Sequence, residues 1–87
     1  MSWESRVDRI EHEGAAYVHV QVADDIRADV ERGELSAGSK LPAAEALAEI
    51  YGVARLTAIR AVRHLEEQGL VTIVKGRGTY VTSGRSH

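Results

Sequence analysis

The 87-residue sequence contains no cysteine, no phenylalanine, one tryptophan and one proline. The absence of cysteine excludes disulfide bonds and thiolate chemistry, and it fits a reducing compartment. Because aromatic side chains are scarce, the core must be built mainly from Leu, Val, Ile, Ala and Tyr. A chain of this length allows one small domain with a modest core.

Long apolar runs and an excess of positive charge are also missing. The apolar runs are far too short to span a bilayer, and we expect a cytoplasmic protein. The net charge is −2, whereas DNA-binding proteins are usually basic. Residues 1–54 carry five Lys or Arg and eleven Asp or Glu, a charge of −6, while residues 55–87 carry six and two, a charge of +4. The second half can therefore attract phosphate, although an unevenly charged solvated surface has the same composition.

No pattern indicates an enzyme, a cofactor or a metal site. Glu11-His12-Glu13 is interpreted as part of a solvated segment. The segment Gly76-Arg77-Gly78 is too short for a nucleotide-binding loop and follows a strand without opening a helix. The four histidines are scattered without metal-ligand spacing: His12, His19, His64 and His87.

Hydrophobic periodicity divides the chain into three helices and two strands. The predicted helices cover about 16–32, 43–51 and 55–68, and the predicted strands cover 70–74 and 79–82. Ala54 precedes the third helix without offering a capping side chain. Leu35 and Leu41, in the connector between the first two helices, are expected in the core.

This order of elements predicts a mainly α fold with a small β-hairpin, arranged as a winged helix-turn-helix. A hairpin is unstable alone and must pack on the helices. We assign residues 15–82 to this domain. Residues 1–14, which end at Gly14, are expected to form a mobile or weakly helical arm, and residues 83–87 a polar tail.

Two local patterns point to DNA. In the first, Ala48 allows close approach of the third helix, Gly52 permits a tight turn, and Val53 anchors that turn. The helix after such a turn enters the major groove, although an αα-corner without a DNA role has the same pattern. In the second, Lys75-Gly76-Arg77-Gly78 joins the strands as a basic hairpin tip, whose cations suit phosphate or a narrow minor groove. An ordinary turn with solvated cations is the alternative.

From about residue 17 to residue 81 the sequence resembles the N-terminal domain of the GntR family of bacterial regulators. The matching residues are apolar, small or turn-forming, and their spacing needs no insertion. They are Tyr17, Val22, Ala23, Ile26, Val30, Gly33, Leu35, Gly38, Leu41, Pro42, Leu47, Ala48, Gly52, Val53, Arg55, Thr57, Ala61, Leu65, Gly69, Leu70, Val71, Gly76, Gly78, Thr79, Tyr80 and Val81.

The resemblance implies a transcription regulator, with a repressor as the expected kind, that binds double-stranded DNA at palindromic operators in the nucleoid. It implies a recognition helix in the major groove and a wing, with its glycine, on the adjacent groove or backbone. The predicted DNA-binding residues are Arg55, Leu56, Thr57, Arg60, Lys75, Gly76 and Arg77.

Three positions depart from the family pattern. Glu45 stands where the family usually has Arg, Ala54 replaces Ser or Thr, and Ile59 replaces Arg. Arg60 follows Ile59 but points about 100° away around the helix, so it compensates only in part. These departures favour a second hypothesis, a winged-helix module that docks a protein and binds DNA weakly or not at all.

Because few residues follow the wing, we expect no effector domain in this chain. It is either an excised domain or a short stand-alone regulator, and we favour the latter. We expect a weak homodimer that operator DNA favours by holding two copies together.

Overall fold

The computed structural model describes residues 3–13 and 17–82. Its main elements are α1 (Val18–Glu31), α2 (Ala44–Tyr51), α3 (Arg55–Glu67), β1 (Val71–Val74) and β2 (Gly78–Val81). The predicted winged helix-turn-helix is confirmed, with each described boundary within a residue or two of its expected place. Residue 16, the expected start of the first helix, lies outside the described residues. Among the described helices, none has the length and apolar character needed to cross a bilayer.

The core lies where α1 and α2 pack against α3, with the base of the hairpin closing one side. Leu35 and Leu41 are buried as predicted. The buried apolar residues are Ile10, Val18, Val22, Ala23, Ile26, Leu35, Leu41, Leu47, Tyr51, Ala58, Ala61, Val62, Leu65, Val71 and Val81.

The turn between α2 and α3 has the geometry that its sequence predicts. Gly52 has a φ of 68°, in the left-handed region that favours glycine. The amide of Val53 donates to the carbonyl of Ala48 at 2.9 Å. A Cβ on Gly52 would lie 3.0 Å from a methyl group of Val7, so the N-terminal segment packs directly on this turn.

Strand β2 is paired along both of its edges. On one edge, β1 and β2 pair antiparallel, with Val71 opposite Val81 and Val74 opposite Gly78. The connector before α2 then covers the outer edge of β2. The amide of Leu41 donates to the carbonyl of Thr79 at 2.8 Å, and the amide of Val81 donates to the carbonyl of Ser39 at 2.8 Å. The pairing between the connector and β2 was not predicted from the sequence.

Residues 3–13, expected to form part of an arm, pack on the core. A 3-10 helix covers Val7–Arg9, and Ile10 enters the apolar cluster. The amide of Arg6 donates to the carbonyl of Ile50 at 2.6 Å, which fixes the segment to the end of α2. The expected boundary at Gly14 and the expected tail at 83–87 lie outside the described residues.

Arg6 anchors this segment through a buried polar network. Only 7% of its side chain is exposed. Its guanidinium lies 2.9 Å from a carboxylate oxygen of Asp25 and 2.8 Å from one of Asp29, and it donates to the Tyr51 hydroxyl at 3.0 Å. The Tyr51 hydroxyl donates in turn to Asp25 at 2.7 Å. The network joins the N-terminal segment to α1 and α2 at once.

Within this network the pKa of Asp25 is lowered and the pKa of Tyr51 is raised. Burial alone would raise the pKa of Asp25, but hydrogen bonds from Tyr51 and Arg9, with the charges of Arg9 and Arg6, hold it below its usual value. Burial and the bond to Asp25 raise the pKa of Tyr51. At neutral pH the network therefore contains an ionised carboxylate and a neutral phenol.

Candidate nucleic-acid interface

The third helix, α3, has one buried face and one solvent face. Ala54 precedes it in an extended conformation and makes no side-chain capping hydrogen bond, as its sequence predicts. Ala58, Ala61 and Leu65 are fully buried against the other helices. The side chains on the opposite face are thus directed to solvent, where a ligand can reach them.

Leu56, Arg60 and Arg63 share this solvent face, at the spacing i, i+4 and i+7. Leu56 is 56% exposed. Thr57 is half-buried at the edge of the face. The sequence analysis did not include Arg63, although its helical spacing from Leu56 could have identified it.

Arg55 begins α3 and is paired with an acid from α2. Its Nε lies 3.1 Å from Oε2 of Glu45, and both side chains are mostly exposed. The backbone amide of Glu45 and the Arg55 guanidinium hold the pKa of Glu45 below its usual value. Glu45, at the position where the family usually has Arg, therefore forms an ion pair with Arg55, one of the predicted DNA-binding residues.

The hairpin tip presents Lys75, Gly76 and Arg77 to solvent. The turn closes with a hydrogen bond from the Arg77 amide to the Val74 carbonyl at 2.9 Å. Gly76 has a φ of 78°, and a Cβ there would meet nothing within 4 Å. Glycine is therefore required by the backbone conformation, and the space around it is open to an approaching ligand.

Lys40 adds a cation to the hairpin from a distant part of the sequence. It forms an isolated bridge with Tyr80, and its Cε lies 2.7 Å from the position of a Cβ built on Gly78. Its ammonium group thus lies beside the tip that carries Arg77. The sequence analysis missed Lys40 because the pairing between the connector and β2 was not predicted.

A groove joins the recognition helix to the hairpin. Ile59 and Arg63 line it from α3, Ile73 and Thr79 from the strands, and Pro42 from the connector. Ile59, where an arginine was expected, is half-buried in this groove, so its apolar side chain packs among its neighbours. The groove places the solvent face of α3 and the hairpin on one continuous surface.

Ion pairing separates the cations of the chain into two groups. The arginines at positions 6, 9, 27, 32 and 55 all pair with acids. Within the described part of the chain, five further cations have side chains that form no ion pair with any carboxylate. These five, called here the free cations, are Lys40, Arg60, Arg63, Lys75 and Arg77.

The three helices and the hairpin are shared with a known protein family. Residues 19–81 match the family model described as bacterial regulatory proteins, gntR family. The chain belongs to this gntR family. The match covers all three helices after the first residue of α1, together with the complete hairpin.

Curated gntR-family relatives are transcription regulators rather than enzymes. The chain is 45% identical over 65 residues to the mannosyl-D-glycerate transport/metabolism system repressor MngR of Escherichia coli. It is 32% identical over 65 residues to the transcriptional repressor NagR of Bacillus subtilis. Each alignment covers 75% of this chain but 27% of the relative, so the chain spans about a quarter of the length of these proteins.

Solved gntR-family structures share the fold. YtrA from Sulfolobus acidocaldarius, a GntR-family transcription factor, superposes with a TM-score of 0.78 at 34% identity, covering 88% of this chain and 81% of that one. The DNA-binding domain of AraR, solved in complex with operator ORX1, superposes with a TM-score of 0.71 at 33% identity. That match covers 74% of this chain and 77% of the AraR chain.

Proposed function

We propose that this chain binds double-stranded DNA sequence-specifically, as the DNA-binding part of a bacterial transcription repressor. In the proposed complex, α3 lies in the major groove and the hairpin tip lies on the adjacent groove or backbone. The observation that carries the proposal is the position of the free cations, which are confined to α3, the hairpin tip and Lys40 beside it. DNA affinity depends largely on neutralising phosphates, which requires cations that are not already paired.

The net charge of the chain does not oppose this proposal. Acids outnumber basic residues mainly before residue 55. Many of those acids are paired with arginines, including Arg27 and Arg32 on and after α1. Local charge near the ligand, rather than the sum over the chain, governs attraction to phosphate at physiological salt, because screening limits the range to about 8 Å.

We assign the proposed contacts by their position on the two elements. Arg55 and Thr57, in the first turn of α3, would reach base edges or nearby phosphates. Leu56, with its exposed side chain, would contact a thymine methyl group. Arg60 would bind the backbone, and Lys75, Gly76 and Arg77 would form the wing contact.

The proposed operator is palindromic and bound by two copies of the chain. Two-fold symmetry of a bound dimer is mirrored in the operator, and DNA holding two half-sites raises the effective concentration of the second copy. In the absence of DNA we propose only weak association. With DNA as its ligand, the protein would act at the nucleoid in the cytoplasm. The solved operator complexes of AraR support DNA binding by this fold.

Gel shift on a random duplex at low salt tests the proposal. Non-specific binding is visible under these conditions because few counterions compete for phosphate. Selection from random duplexes then tests sequence preference and symmetry. If micromolar protein does not retard the duplex at low salt, DNA binding is disproved, and the protein-docking hypothesis gains.

A further inference from the structure

A small cleft between α1 and α3 is lined by five side chains, four of them basic. His19 contributes from α1, while Arg60, Arg63, His64 and Glu67 contribute from α3. We propose that this cleft binds a phosphate of the DNA backbone, and that His19 and His64 take up a proton as the phosphate binds. The proposal rests on DNA binding as proposed above and adds a pH-dependent contact to it.

The two histidines are close enough to respond to one phosphate. Their ring centroids are 6.1 Å apart, with the rings at 89° to each other. Both side chains are half-buried, so an anion between them would be partly shielded from water. Such shielding strengthens the attraction between a phosphate and a protonated imidazole.

The cleft also contains two arginines and one acid. Arg60 and Arg63 are two of the free cations, and Glu67 is the one acid that lines the cleft. Nε2 of Gln68, an uncharged side chain, lies 3.5 Å from Nε2 of His64. A bound phosphodiester would bring a negative charge toward this cluster, and a nearby negative charge favours the imidazolium form.

The cleft continues the surface that the proposed function already uses. Arg60, Arg63 and Glu67 follow Leu56 by four, seven and eleven residues, which keeps them on the solvent face of α3. His19 extends that surface onto α1. In the proposed complex the first turn of α3 faces the major groove. A DNA strand that passes along α3 would meet this cleft farther toward the C-terminal end of the helix.

The sign of the pH effect follows from proton uptake. If binding raises the pKa of a histidine by one unit, the duplex binds about tenfold more tightly well below that pKa than well above it. An ordinary histidine titrates near pH 6.5. We therefore expect affinity for a random-sequence duplex to rise about tenfold for each histidine that takes up a proton, as the pH falls from about 8 to about 5.5 at constant ionic strength.

The matched control is a histidine outside the cleft. His12 lies exposed on the N-terminal segment, and His12→Gln should keep the full pH dependence. The double variant His19→Gln with His64→Gln should lose it. Arg63→Gln, at an exposed position, should weaken binding and lower the salt slope by about one. Circular dichroism checks that the variants keep their helices.

Direct titration of the wild-type histidines by NMR provides a measurement that needs no variant. Addition of duplex should raise the pKa of His19 and His64 and leave that of His12 unchanged. Titration with inorganic phosphate at the same ionic strength separates a free anion from the DNA backbone. We expect it to shift these resonances far less than duplex does.

Three results would overturn the inference while leaving DNA binding intact. These are a duplex affinity independent of pH, a pH dependence that survives in the folded double variant, and unchanged histidine pKa values on the duplex. Equal shifts with inorganic phosphate would make the cleft a site for free anions instead. Absence of any binding to duplex at low salt would disprove the proposed function itself.

Discussion

Glu45 and Arg55 form an ion pair that joins the first turn of α2 to the first residue of the recognition helix, with 3.1 Å between Oε2 and Nε. The pair is exposed, so it contributes little to stability. Its importance lies in position, because it places a carboxylate beside a proposed base-reading cation. In the proposed complex, DNA would approach Arg55 against this negative charge.

We therefore expect Glu45→Arg to tighten binding to every DNA sequence. The substitution removes repulsion between Glu45 and phosphate and adds a cation. Glu45→Gln, which keeps the shape of the side chain, should tighten binding to a smaller extent. The measurement is a salt titration of affinity on specific and random duplexes, with Glu49→Gln on the same helix as the control. If Glu45→Arg tightens no DNA binding, α2 does not face the backbone.

Arg55 itself is expected to carry sequence preference. Arg55→Ala should weaken binding to the selected operator by about 1–3 kcal/mol and affect random DNA much less, because a bidentate base contact is lost. Arg27→Ala is the matched control, since Arg27 is also ion-paired but lies on α1. Unchanged specific affinity in Arg55→Ala would remove Arg55 from the interface.

The helices and hairpin could be predicted because each is encoded by residues that are close in sequence. Ala58, Ala61 and Leu65 recur at helical spacing, and Gly52 marks the turn before them. The free cations of α3 and the hairpin tip could be identified from the same local patterns. Their positions on one surface required the fold.

Long-range contacts could not be predicted in this way. Arg6 binds Asp25 and Tyr51, which lie 19 and 45 residues away, and no periodicity links them. Lys40 similarly reaches the hairpin through pairing with Tyr80. In both cases a single charged residue acquires its role only when distant elements pack together.

The buried network around Arg6 leads to a prediction about acid stability. The pKa of Asp25 is lower in the folded state than in the unfolded chain, so Asp25 stabilises the fold above about pH 4, and this stabilisation is lost as the pH falls further. Asp25→Asn should reduce stability at neutral pH and flatten its decline below about pH 4. Urea unfolding across this range measures both effects, and Asp24→Asn is the exposed control. An equally steep decline in Asp25→Asn would contradict the prediction.

The association state is expected to depend on DNA. Residues 3–13 pack on the chain's own core, and the exposed large apolar residues of the described segments are dispersed over several elements. We expect a monomer at micromolar concentration and two copies on a duplex carrying two half-sites. Analytical ultracentrifugation with and without the selected duplex measures this. A tight dimer without DNA would contradict the expectation.

We expect the hairpin tip to supply much of the phosphate neutralisation. Glu45 is acidic and Ile59 is apolar at positions where the family usually has arginines, so the helices offer fewer cations. Lys75 and Arg77 are exposed and free of ion pairs within the described residues. Each phosphate contact contributes about 0.9 to the slope of log affinity against log salt. The double variant Lys75→Ala with Arg77→Ala should therefore lower the slope by about two and weaken binding to all sequences alike.

A matched double variant distinguishes a wing contact from a general loss of positive charge. Arg9→Gln with Arg27→Gln removes two cations that are paired with acids, so the salt slope should change little. Adding Lys40→Ala to the hairpin double variant should lower the slope by about one more, because Lys40 lies beside Gly78 at the same tip. If the hairpin double variant keeps the wild-type slope, the tip is an ordinary turn. Its cations then make no contact with phosphate, and binding depends on α3 alone.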